Sequence, residues 1–211
     1  MEYTTILGPA RDEFTEKRSR FIGYAAPVTT EEQALAFIQE KRSRHWDANH
    51  NVYAYILREG GIKRYSDDGE PQGTAGVPVL DVLQKEGLTD LVVVVTRYFG
   101  GILLGAGGLV RAYSHGAKLA IQAAGKKVMS PCSVLEMEFD YSLYGKVSYL
   151  LPKYRAVTLE SDFGVGVYLK LLLLTDLVPA LQKELDELSA GTLTPRLVQE
   201  CYDCIEHPSL F

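Results

Sequence analysis

Polar and apolar positions fall into short blocks whose period switches between two and about 3.6. SRFIGYAAPV reads as a strand, and a helix opened by Thr29 or Thr30 follows it. Glu31 and Glu32 suit the positive first turn of that helix, and Lys41, Arg42 and Arg44 suit its last turns. Leu35, Phe37 and Ile38 are expected along its apolar side. NVYAYILREGGIKRYSDDGE predicts a hairpin, with Val52, Ala54 and Ile56 facing one way and Gly60-Gly61 in the turn. Thr74 stands where it can cap a helix running to about Glu86, with Pro78 tolerated near the start. TDLVVVVTRYF predicts a buried strand, and LVRAYSHGAKLAIQAAG a long helix ended by Gly125.

KKVMSPCS has no periodicity and carries a proline, so a domain boundary is placed there. Beyond it come a strand with Leu135, Met137 and Phe139 in alternation, a helix, two strands around a turn near Asp162–Gly164, a second helix and a last strand. The order β-α-β-β-α-β is the split βαβ arrangement, two helices on one face of an antiparallel sheet. The expected fold class is therefore α+β in two domains, residues 1–127 and 131–211.

Aliphatic and aromatic residues make up 46 % of the chain and charged residues 23 %, which supports a packed core and excludes a disordered chain. The opening MEYTTILGPARDEF meets acid and arginine before any useful apolar stretch, so no signal peptide is expected. LVVVV and LLLL are too short to cross a bilayer, and three cysteines form no disulfide framework. A cytoplasmic location without membrane contact follows as the expectation. Residues 1–130 hold 16 Lys and Arg against 15 Asp and Glu, whereas residues 131–211 hold 6 against 12. Nucleic-acid contact is therefore expected only on a local basic face of the first domain, and the acidic second domain is a candidate surface for a protein partner.

The candidate chemistry centres on TRYFGGILLGAGGLVRA, where Gly100, Gly101, Gly105, Gly107 and Gly108 lie between a buried strand and a helix. Three readings compete. The glycines permit a tight strand-helix joint; they leave backbone N–H groups for an RNA phosphate or other anion; or they cradle a small nucleotide. No Gly-Lys-Ser/Thr follows, and Val110 breaks the G-x-G-x-x-G spacing from Gly105. Ala112, Gly116, Ala117, Ala120 and Ala123 predict close packing of the helix on its sheet. Arg111, Ser114, His115, Lys118 and Gln122 form its polar stripe.

The runs SDDGEPQGTAGVPVL and VVVVTRYFGGILLGAGGLVRAYSHGA, with Lys17-Arg18-Ser19-Arg20-Phe21 and HWDANHNVYAY, closely resemble the IMPACT/YigZ family. The resemblance covers essentially the whole chain. It implies a first domain of the type shared by a ribosomal small-subunit protein and domain IV of elongation factor G. It also implies a ferredoxin-like second domain similar to domain V of that factor. A translation-linked role with RNA or ribosome binding is implied, with no cofactor. Small-molecule kinases share the fold superfamily, but Ala106 and Leu109 replace their phosphate-loop serines.

The expected RNA- or phosphate-binding residues are thus Arg97, Tyr98, Gly100, Gly101, Gly105, Gly107, Arg111 and Lys118. Asp67, Asp68 and Glu70 either order loops, with Asp68 or Glu70 paired to Arg97, or hold magnesium for an alternative nucleotide-binding enzyme. Cys201-x-x-Cys204-x-x-His207 supplies three zinc-type ligands where a structural site wants four. Ser114-His115 lacks the leading glycine of a nucleophile elbow. Trp46, between His45 and His50, reads as a core anchor or as a stacking platform for a nucleotide.

Overall fold

Antiparallel strands organise both parts of the chain in the computed structural model, which describes residues 1–209. The chain divides into one unit at Tyr3–Lys127 and a second from Val128 onward that includes Met1–Glu2. The first holds β1 (Tyr3–Ile6), β2 (Ala10–Glu16), β3 (Ser19–Pro27), α1 (Glu31–Arg44), β4 (His50–Ile56), β5 (Lys63–Ser66), α2 (Gly76–Lys85), β6 (Leu91–Tyr98) and α3 (Ala106–Ala124). Its main sheet has the order β2-β3-β6-β4-β5, with β6 at the centre.

That position explains why LVVVV shows no polar alternation. Val93 and Val95 pack in the core under α2 and α3, while Val92 and Val94 pack in the core under α1 on the other face. A central strand covered on both faces has no wet side to mark. Thr30 caps α1, its hydroxyl accepting from Gln33 N at 3.2 Å. The buried side of α1 is Ala34, Ile38 and Lys41, and Leu35 points outward at 50 % exposure. Lys41 is tolerated there because its ammonium lies over the rings of Phe37 and Tyr24 and bonds Glu40.

Helix α3 approaches its sheet closely through small residues. A Cβ on Gly23 would stand 2.3 Å from the Gly116 carbonyl oxygen, and one on Gly116 would stand 2.9 Å from Val95 Cγ1. Ala112, Ala117 and Ala120 are buried in the same contact, whereas Ala123 faces out. The predicted cap on α2 is not Thr74, whose hydroxyl donates to the Pro71 carbonyl. Asp67 takes that place from outside the helix, its carboxylate accepting from Gly73, Ala75 and Gly76 N at 2.9, 3.1 and 2.8 Å.

The second unit follows β7 (Lys126–Phe139), α4 (Tyr141–Leu150), β8 (Val157–Phe163), β9 (Val167–Leu174), α5 (Val178–Ser189) and β10 (Arg196–Asp203). Its strands lie in the antiparallel order β10-β7-β9-β8, and α4 and α5 bury Val147, Leu150, Leu181 and Leu185 against one face. KKVMSPCS is not irregular: it is the first half of β7. Pro131 fits because the ladder to β9 begins one residue later, at Cys132, so no bond to β9 is lost. Among the described residues no helix is long and apolar enough to cross a membrane.

Two glycine substitutions separate packing from permissiveness. Gly23→Ala is expected to destabilise the chain by about 1–3 kcal/mol through overpacking. Gly145→Ala, in mid-α4 where a Cβ would meet nothing, is expected to stabilise it by about 0.5–1 kcal/mol. Urea unfolding of the two variants checks both signs.

Candidate functional site

Strand β6 delivers Arg97 into the interior beside the start of the glycine joint. Its side chain is 5 % exposed, and Nη1 donates to Glu70 Oε1 at 2.7 Å, where the Glu70 side chain is 4 % exposed. Tyr113, on the buried side of α3, donates its hydroxyl to the same Oε1 at 2.6 Å. Burial, then the Glu70 contact, holds the Tyr113 hydroxyl far above the ordinary phenol range, so it remains a donor. Ser19 accepts from Arg97 Nη2 at 3.4 Å and from Gly100 N at 3.2 Å. The rings of Phe21 and Phe99 lie 5.5 and 5.3 Å from the guanidinium carbon. Arg97 Nε is buried without a hydrogen-bond partner.

The expected pairing of Glu70 with Arg97 is therefore present, but it draws the guanidinium away from the surface. Asp68 pairs with Arg42 at 2.8 Å and accepts from Asn51 N at 2.6 Å, and Asp67 holds the start of α2. The three carboxylates serve three separate loop contacts. No group of three His, Cys, Asp or Glu side chains able to hold a metal occurs among the described residues, so the magnesium arrangement is absent there. The same holds for Cys201, Cys204 and His207. Cys132 lies opposite Cys201 across β7 and β10, and burial pushes its thiol up to about 11.

Tyr98 closes a second chain of contacts at the end of β6. Its hydroxyl donates to Asp47 at 3.1 Å, so His45 Nδ1 donates to that hydroxyl at 2.8 Å, and His45 Nε2 accepts from Tyr24 at 2.7 Å. Burial, and next the Arg44 charge, lowers the affinity of His45 for a second proton, which preserves this pattern. Trp46 is 83 % exposed and is no core anchor.

The glycines divide by role. Gly100 is architectural: a Cβ there would stand 2.1 Å from the Arg18 backbone. Gly101 and Gly105 adopt φ of +85° and +74°, and Gly105 precedes α3 without a side-chain cap. Helix α3 begins at Ala106, so Gly107 and Gly108 belong to its first turn rather than to the loop. Arg111 and Lys118 are exposed on the outer stripe of α3 with His115. Gly108, Arg111 and His115 line a crevice of about 480 Å³ whose far wall is Thr15, Glu16 and Lys17 of the β2–β3 hairpin. That wall has no local signal in the sequence, because Lys17-Arg18 is a two-residue turn without the usual glycine or asparagine; both residues have positive φ, 46° and 65°.

Fold and site together define a two-unit α+β protein whose glycine joint is ordered from beneath by a buried ion pair and flanked by exposed cations. Residues 17–121 match the Impact N-terminal domain, and residues 137–192 match a domain of unknown function, DUF1949. The chain belongs to the IMPACT family. It is 40 % identical to the IMPACT family member YvyE of Bacillus subtilis, covering 78 % of this chain and 76 % of that protein. A crystal structure described as that of a hypothetical protein is 31 % identical, with a TM-score of 0.60 over 94 % of this chain and 98 % of its own. The solved structure of Yih1, described as a two-domain translational regulator, is 28 % identical over 57 % of this chain and 46 % of its own, with a TM-score of 0.34.

Arg97→Ala is expected to cost about 3–5 kcal/mol of stability, because it leaves the Glu70 carboxylate buried without its counter-charge. Replacement of exposed Arg111 by Ala is expected to stay within about 0.5 kcal/mol. Equal urea midpoints for the two variants would show that the Arg97 pair does not carry the joint.

Proposed function

We propose that this chain is a translation-linked binding protein that contacts RNA phosphates through the crevice between the β2–β3 hairpin and the first turns of α3. In this reading residues 1–127 form a binding domain of the ribosomal-protein and elongation-factor-G domain IV type. Residues 131–211 form a ferredoxin-like domain, which the strand order β10-β7-β9-β8 supports. Family membership supports the link to translation.

One observation carries the RNA contact. Lys17 and Arg18 occupy a turn whose positive φ values favour Asn-Gly, and both side chains are exposed without an ion pair among the described residues. A left-handed conformation costs an ordinary residue about 1–2 kcal/mol. Two cations held there at such a cost beside Arg111, also unpaired, make sense if they meet an anion. Glu16 faces the same crevice and tempers the field. The uncapped start of α3 adds N–H groups that favour negative charge. Arg97 and Gly100 support this surface from below and Arg111 lies on it; Gly107 is exposed in the first turn of α3, and Lys118 lines a separate crevice with Glu86 and Lys126.

The alternative, a nucleotide-binding enzyme with magnesium, loses its ligands because Asp67, Asp68 and Glu70 are engaged apart from one another. No separate observation favours a protein partner for the acidic second unit.

The paired substitution Lys17→Asn with Arg18→Gly separates function from folding. It is expected to raise the urea midpoint, since the new residues suit the turn, and to weaken RNA binding. The slope of log affinity against log salt should fall by roughly two, one for each lost phosphate contact. Unchanged affinity and slope, measured by co-sedimentation with ribosomes and free RNA across a salt series, would remove the proposal.

A further inference from the structure

A second cavity, of about 380 Å³, has Arg97 on its polar wall and Phe99, Leu103 and Leu109 on its apolar one. Ligand pockets span roughly 300–1,000 Å³, so this one suits a small molecule. The Arg97 guanidinium is almost fully accounted for. Nη1 donates to Glu70 at 2.7 Å, Nη2 to Ser19 at 3.4 Å, and the rings of Phe21 and Phe99 lie near it. Nε is left over: it is buried, in a side chain 5 % exposed, with no hydrogen-bond partner among the described residues. A buried donor of this kind needs an acceptor.

The start of α3 supplies the second half of the site. Gly105 gives it no side-chain cap, and its first bond runs from Leu109 N to the Gly105 carbonyl at 3.0 Å, which leaves the N–H groups of Ala106 and Gly107 ahead of it. These carry the partial positive charge of a 19-residue helix. Gly105 and Ala106 line this cavity, whereas Gly108 and Arg111 line the basic crevice. Glu70 also lines the cavity, but its charge is met by Arg97 and its Oε1 accepts from Tyr113 as well.

The geometry points to a binding site for a small carboxylic acid with an apolar body, a ligand separate from RNA and independent of the phosphate reading above. The carboxylate takes the Arg97 Nε–H and faces the start of α3, and the body lies along Phe99 and Leu103. A single negative charge fits here, because a polyphosphate would bring several charges beside Glu70 and a polar sugar against apolar walls. Phe99 and Leu103 are 43 % and 81 % exposed, so a ligand body that covers them removes apolar surface from water.

The test is an N–H correlation spectrum of the full chain, in which Arg97 Nε–H has a signal of its own beside the backbone amides. It is titrated with phenylpropanoate, with phenylpropanol, which keeps the body without the charge, and with acetate, which keeps the head without the body. Phenylpropanoate is expected to shift Arg97 Nε–H together with the amides of Ala106 and Gly107, and to bind about tenfold more tightly than either control. Leu103→Glu, at an exposed rim position, should abolish those shifts by like-charge repulsion and leave the urea midpoint nearly unchanged. Equal binding of phenylpropanol, equal binding of acetate, or amide shifts without a change at Arg97 Nε–H would each overturn the site. No shift with any of the three would overturn it as well, and RNA affinity, measured separately, would still decide the phosphate reading.

Discussion

The ion pair between Glu70 and Arg97 is the contact on which the rest of this site depends. It lies where β6 runs out and the glycine joint begins, and it draws in groups from two other elements: Ser19 and Phe21 in β3, and Tyr113 in α3. A buried pair of this kind contributes little net stability over an apolar replacement, but loss of one partner is costly. Its consequence is positional. Arg97 Nη2 and Gly100 N share Ser19, so the charge pair and the first turn of the joint are held by one hydroxyl.

With the interior positive charge neutralised, the surface field near the joint is left to Lys17, Arg18 and Arg111, tempered by Glu16. These come from a hairpin tip and a helix face. The hairpin tip is fixed relative to the joint by the approach of Gly100 to the Arg18 backbone. A side chain at position 100 would push the tip away. The glycines thus serve both as a packing joint and as the means of bringing cations from β2–β3 next to the first turns of α3. Electrostatic contacts on such a surface are sensitive to salt.

Much of this was legible from the order of residues. Period-two alternation located β4 and the second half of β7, Thr29 or Thr30 announced α1, and the second half of the chain read directly as β-α-β-β-α-β. The close approach of α3 followed from Gly116 and its alanines, and a contact between Glu70 and Arg97 followed from opposite charge in neighbouring loops. Other features had no local signal. Tyr113 sits in a stripe of small residues and meets Glu70 only after the sheet has formed. Asp67 caps α2 from nine residues before Gly76, far outside the window in which a cap is sought. Arg97 lies next to polar and aromatic residues at a strand end, a pattern that reads as surface until the central position of β6 is known. Two successive glycines suggest loop, so the early start of α3 was hidden as well.

The most direct test of this account is an amide chemical-shift titration of the full chain with single-stranded RNA at low salt. The account requires the largest changes at Lys17, Arg18, Gly107, Gly108 and Arg111, with the outer face of α1 and the helices of the second unit unaffected. Changes centred on α1 or on the second unit, or none at any residue, would contradict it.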